Sequence, residues 1–140
     1  MSLTATARSV PGTLRQEVLV GREHGLITDE PERLGGTGSG PAPHELLPAA
    51  LAACISTTLV AYARSRAWAL EDVTVTVDYD NRATPRAFEV AIEVSGHLDA
   101  RQLERLDAVA AACPVRRALE AGFAFSEHLR HVHGASHVAT

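Results

Sequence analysis

The sequence contains no lysine: all 13 basic residues among its 140 positions are arginine. That excludes a lysine Schiff base and the lysine of a phosphate-binding P-loop. Aromatic residues are scarce at 4%, so Leu, Val, Ile and Ala must supply the packing of any core. Positive charge is not in excess either. A net charge of −4 gives no electrostatic basis for binding nucleic acid or an anionic membrane surface. The longest apolar stretch, Ala49–Ala63, is broken by Ser56, Thr57 and Thr58 and reads as too short to span a bilayer. The opening MSLTATARSVPG lacks the apolar core of a signal peptide, and a cytoplasmic protein with no membrane partner is expected. Only two cysteines are present, Cys54 and Cys113. In that setting a structural disulfide is disfavoured, which leaves inert packing, metal binding or redox chemistry.

What is there suffices for one α+β domain. Residues 1–12 are expected to be disordered or loosely attached, 13–132 to form the domain, and 133–140 to be a tail. Residues 13–21 and 24–30 read as two short strands around a turn at Gly21. A loop with Gly35, Gly36, Gly38 and Gly40 follows. A helix is expected from Pro43, a residue suited to a first helical turn, to about Arg66, with Pro48 able to bend its start. DVTVTVDYD (72–80) and FEVAIEVSG (88–96) alternate apolar and polar residues and predict an antiparallel pair with one buried face. Asp99 and Gln102 resemble a capping box that opens a helix with the stripe Leu103, Leu106, Val109, Cys113. Pro114 interrupts it, and a second helix runs to Gly122. Residues 123–132 alternate again and predict a last strand.

Two features invite a chemical reading. Gly36, Gly38 and Gly40 give G-x-G-x-G followed by Pro41, not the G-x-G-x-x-G of a dinucleotide site. A flexible connection into the helix is the better reading than a phosphate cradle. The helix it enters is apolar on nearly every side and therefore reads as buried. Cys54 alone, in the middle of that helix, reads as a small packed hydrophobe. Cys113 changes this, because it also faces the core. It stands before Pro114, where free N–H groups and nearby Arg116 and Arg117 would lower a thiol pKa. His128, His131, His133 and His137 read as a solvated tail and not as a metal site. A zinc site built from the two cysteines and a histidine lacks any close ligand spacing. Neither a cofactor nor a metal is expected.

The run GG-x-G-x-G-P-x-P-x-E-L-L-x-A-A-L-A-A-C (35–54), followed by A-C-P-V (112–115) in this order of elements, resembles the OsmC/Ohr family of osmotically inducible and organic hydroperoxide resistance proteins. The likeness covers roughly residues 13–130. It implies antiparallel sheets around long buried helices in an intertwined homodimer. It also implies a thiol peroxidase that reduces organic hydroperoxides, with Cys54 as the attacking cysteine and Cys113 as the resolving one. A thiol or dithiol protein would be the reductant. A glutamate and an N-terminal arginine support the thiolate in the family. Here His44 stands at the usual glutamate position of the hydroperoxide resistance branch, and Glu45 comes next. Arg15 is the nearest arginine, with Arg22 and Arg33 as rivals. An OsmC-like branch is the best placement. A non-catalytic or hydrolase-like domain that binds small molecules in the same apolar pocket is the alternative.

Overall fold

Residues 3–132 are described by the computed structural model. Three short strands come first: β1 (Ala5–Ser9), β2 (Gln16–Val20) and β3 (His24–Thr28). They form one antiparallel sheet in the order β1-β2-β3, with Ala7 opposite Val18 and Val18 opposite Leu26. β1 corrects the expectation of a loose N-terminus. Its five residues are all exposed, so no burial pattern announces it; ladder hydrogen bonds to β2 make it a strand.

A loop with a 3-10 turn at Glu32–Leu34 leads to a second 3-10 turn, Pro43–Glu45. That turn runs into α1 (Leu46–Ser65), the long helix predicted from the apolar run. Pro48 lies in its first turn, where no intrahelical N–H bond is required, and the helix continues through it. Leu51, Ile55, Leu59 and Ala63 recur every four residues and are buried. They form the stripe that packs on β4 (Ala69–Asp80), α2 (Ala100–Ala110) and α3 (Pro114–Ala121). The rest of the helix is far more open than its sequence suggests. An 18-residue window within helix Pro43–Ser65 has a mean hydropathy of 1.8, which corrects the expectation of a run too short to span a bilayer: by length and composition alone it is long and apolar enough, and 22% of that window is buried within the chain. Leu47 and Val60 are among its exposed residues.

β4 and β5 (Ala87–His97) form the predicted antiparallel pair. Val73 faces Val94, Val75 faces Ile92 and Tyr79 faces Phe88, with a bulge between Leu70 and Asp72. Val73, Val75, Val77, Phe88 and Ile92 pack on the core from one side, as alternation requires. The tyrosine and phenylalanine rings stack at 4.8 Å. At the far end of α1, Arg105 Nε donates to the Tyr62 hydroxyl at 2.8 Å and pins α2 to α1. Tyr62 also meets Trp68 edge-to-face.

The Asp99 capping box forms as read: the Asp99 carboxylate accepts the Gln102 N–H at 2.7 Å, and Gln102 Oε1 accepts the Asp99 N–H at 2.9 Å. The final expected strand does not form. Residues 123–132 belong to no sheet and are exposed throughout, with Phe125 84% and Leu129 95% accessible. A period-two pattern encodes a face to bury, but a strand also needs a free edge to pair with, and this segment pairs with none among the described residues. Residues 133–140, and with them His133 and His137, lie outside the described residues.

Candidate functional site

The two cysteines sit on different elements and the fold brings them together. Cys54 projects from the third turn of α1 and is half-buried; Cys113 is 0% exposed at the junction of α2 and α3. Both are free thiols and both belong to the core cluster around Leu51, Ile55 and Leu106. Cys113 is the N-cap of α3: its Sγ accepts the Arg116 N–H at 3.4 Å, and Pro114 takes the first helical position, where no N–H is needed.

This geometry reverses one sequence expectation. The N–H of Arg116 does favour the thiolate, but burial is the larger effect and pushes the Cys113 thiol above its ordinary value. The neighbouring Cys54 thiol adds to the rise. The positive charge of Arg116 does little to offset this, because its side chain turns outward to Glu120 at 3.7 Å. Cys113 is therefore the buried, protonated member of the pair, and Cys54 is the one with access to solvent.

The polar residues expected around the thiol are more dispersed. Glu45 is exposed and closes its own turn: Oε1 accepts the Ala42 N–H and the Glu45 N–H donates to the Ala42 carbonyl, both at 2.9 Å. Glu45 forms no ion pair with Arg15, Arg22 or Arg33 among the described residues. Arg22 is exposed in the β2–β3 turn. Arg33 lines a cavity of about 560 Å³ together with Glu30, Leu34, His44, Glu45 and Asn81. His44 at its rim meets Tyr79 edge-to-face at 5.0 Å. Arg15, at the start of β2, is half-buried, and its Nε is a buried donor without a hydrogen-bond partner. No group of three His, Cys, Asp or Glu side chains among the described residues is placed to hold a metal ion.

Sequence reasoning missed Asp29. This residue follows β3 directly and is 1% exposed. Its Oδ2 accepts the N–H and hydroxyl of Thr37 at 3.1 and 2.7 Å and those of Ser39 at 3.1 and 2.8 Å; Oδ1 accepts the Glu30 N–H at 2.8 Å. The Thr37 hydroxyl foremost, and the Ser39 N–H next, hold its carboxyl well below the usual carboxylate range. The glycine-rich loop therefore wraps a carboxylate of its own chain and not a phosphate. Two glycines permit it. A Cβ on Gly36 would strike the Glu30 carbonyl, and one on Gly40 the Ile27 carbonyl. The signal was present in the sequence as an acid at a strand end followed by Thr and Ser eight and ten residues on, but it lacks the fixed spacing of a known motif.

Residues 36–127 match the family of OsmC-like proteins. Among curated protein sequences none matches the chain. Solved structures do. One, described as an osmotic stress induced and detoxification response protein from Psychrobacter arcticus, is 27% identical with a TM-score of 0.69, over 84% of this chain and 87% of that one. Another, described as an organic hydroperoxide resistance protein OsmC from Legionella pneumophila, is 29% identical with a TM-score of 0.58, over 85% and 89%. A third, described as an organic hydroperoxide resistance protein from Vibrio cholerae with captopril bound in one of its active sites, is 26% identical with a TM-score of 0.58, over 85% and 84%. The α+β fold of antiparallel sheets and helices is common to them, and the chain belongs to the OsmC-like family.

Proposed function

We propose that the protein is a cysteine-based reductase of organic hydroperoxides, working as a homodimer with a cytoplasmic thiol or dithiol protein as reductant. The observation that carries this is the pairing of an accessible thiol, Cys54, with a fully buried one, Cys113, within an apolar core. The Cys54 thiolate attacks the terminal oxygen of the hydroperoxide; the O–O bond breaks, and the leaving alkoxide takes a proton to become the alcohol. Cys54 is then a sulfenic acid. Cys113 gives its proton to the departing hydroxyl as its sulfur bonds to Cys54, so that water and a Cys54–Cys113 disulfide result. Exchange with a dithiol restores both thiols and leaves the reductant oxidised. The apolar neighbours Leu51 and Ile55 favour an alkyl substituent over hydrogen peroxide.

Two observations support the dimer. Only 22% of the apolar window of helix 43–65 is buried in one chain, and a helix apolar all round is stable only when covered. The strand-patterned segment 123–132 exposes Phe123, Phe125, Leu129 and Val132, which a second subunit would bury by intertwining. Arg15 is half-buried in the single chain and its Nε lacks a hydrogen-bond partner; in this reading its guanidinium favours the Cys54 thiolate and Glu45 orients it once the dimer forms.

The test uses excess alkyl hydroperoxide on the reduced protein. Both thiols of each chain should be consumed, and non-reducing peptide mapping should find Cys54 joined to Cys113. C54S should abolish turnover, whereas C113S should react once and leave a sulfenic acid that a dimedone probe traps. Two free thiols persisting in the wild type would refute the reading in favour of a non-catalytic binding domain. Light scattering should report a dimer at micromolar concentration.

A further inference from the structure

The Asp29 carboxyl, held well below the usual carboxylate range by its hydrogen bonds, has no ion-pair partner among the described residues. Its partners are five neutral donors from three residues, and charge-assisted bonds of this kind are about twice as strong as neutral ones. What they hold is a specific path of main chain. Thr37 and Ser39 are drawn onto the carboxylate, the Gly38 N–H donates to the Glu30 carbonyl at 3.0 Å, and the Asp29 N–H donates to the Pro41 carbonyl at 3.0 Å. Residue 41 is thereby tied to residue 29. The next residue, Ala42, donates its N–H to Glu45 Oε1. A continuous chain of hydrogen bonds thus runs from a buried charge to an exposed carboxylate at the rim of the 560 Å³ cavity that Arg33, His44 and Asn81 also line.

We propose that Asp29 is a positioning residue, which fixes the glycine-rich loop through Thr37 and Ser39 and so sets the place of Glu45, the carboxylate that supports the Cys54 site in the proposed function, and of His44 beside it in the same cavity. The catalytic part of this inference rests on the hydroperoxide-reductase reading. Asp29 touches neither substrate nor thiol; it acts through Glu45. A packed hydrophobe could fill the same space but could not draw five donors to one point. An asparagine could not either, since it has no charge to strengthen the bonds and its amide NH2 would set a donor against the Glu30 N–H.

The experiment compares wild type, D29N, T37S and T37V, each alone and with E45A, as the intact dimer. Hydrogen–deuterium exchange over residues 37–45 should accelerate about tenfold in D29N, by less in T37V, and not at all in T37S, which keeps both donors. KM for an alkyl hydroperoxide should rise about fivefold in D29N, with kcat nearly unchanged, because one net hydrogen bond of positioning is lost. D29N should add nothing to the KM of E45A, since both act through the same carboxylate. Equal factors in the two backgrounds, or a loss confined to kcat, would overturn the proposal. If D29N does not fold, T37V against T37S decides it by the same readouts. A wild type without hydroperoxide turnover would refute the functional reading alone. The exchange comparison would then still show whether Asp29 holds Glu45, and an unchanged exchange pattern in D29N and T37V would refute the positioning role itself.

Discussion

Oxidation should make the protein markedly harder to melt. The proposed disulfide joins α1 to the start of α3 and closes a loop of about 60 residues, Cys54 to Cys113, which contains the whole β4–β5 pair and α2. Cross-linking a loop of that length removes about 14 cal/mol/K of entropy from the unfolded chain, or about 4 kcal/mol at 25 °C. Unfolding entropies near 2.1 cal/mol/K per residue give about 0.3 kcal/mol/K for 140 residues, so the expected rise in Tm is about 10–15 °C. The native state should contribute little strain, since the two thiols already interact across the core in the reduced form. Calorimetry on reduced protein and on protein treated with one equivalent of alkyl hydroperoxide, both without added reductant and at equal concentration, measures the difference. C113S under the same treatment should show no rise. A shift below about 3 °C in the wild type, or an equal shift in C113S, would show that the geometry must distort to bridge or that another bond forms.

Three further outcomes follow from the core and the loop. Burial raises the Cys113 thiol above its ordinary 9.0; the protonated form is favoured on folding, so this stabilisation is complete below pH 9 and is lost as pH climbs toward the folded value. Denaturant melts of the reduced protein should therefore lose stability above pH 9 more steeply in the wild type than in C113S, and parallel pH curves would contradict the assigned burial. Leu59→Ala, at a site 1% exposed, should cost about 2–5 kcal/mol and lower Tm by about 7–17 °C, as read by circular dichroism; a loss under 1 kcal/mol would mean that α1 repacks freely. Gly40→Ala should destabilise the loop through collision with the Ile27 carbonyl, whereas Ala at Gly25 meets only the Val18 carbonyl at 3.9 Å and should be mild. Comparable stability of the two variants in thermal melts would refute the close approach.

The strongly patterned parts of the chain were legible. Alternation located β4 and β5, the apolar run located α1, and Asp99 with Gln102 announced α2, because each of these signals is local. β1 was hidden since ATARS buries nothing and is held only by ladder bonds to β2. Residues 123–132 show the reverse case, a strand pattern that finds no pairing edge among the described residues. The two cysteines were legible as core-facing residues, and their meeting depended on how α3 packs on α1. The pKa of Cys113 could not be read correctly, because helix capping and burial act in opposite directions and only packing decides which is larger. Asp29 escaped because its partners are backbone N–H groups and hydroxyls gathered by a loop path, and a loop path has no periodicity.

The glycine-rich loop has a consequence for how such a site could diversify. Where Gly36 and Gly40 pass, the nearest atoms are main-chain atoms of Glu30 and Ile27, with the Asp29 carboxylate and Ile27 Cγ2 beside them. Main chain carries no side chain to exchange, so substitutions cannot remodel those walls; they can only break them. Variation in what this cavity admits is channelled to the few positions whose side chains reach it without holding the loop, foremost Arg33, Leu34 and His44. A library built on those three positions would sample new selectivity on an intact frame, while one spread across 36–40 would sample mostly unfolded loops.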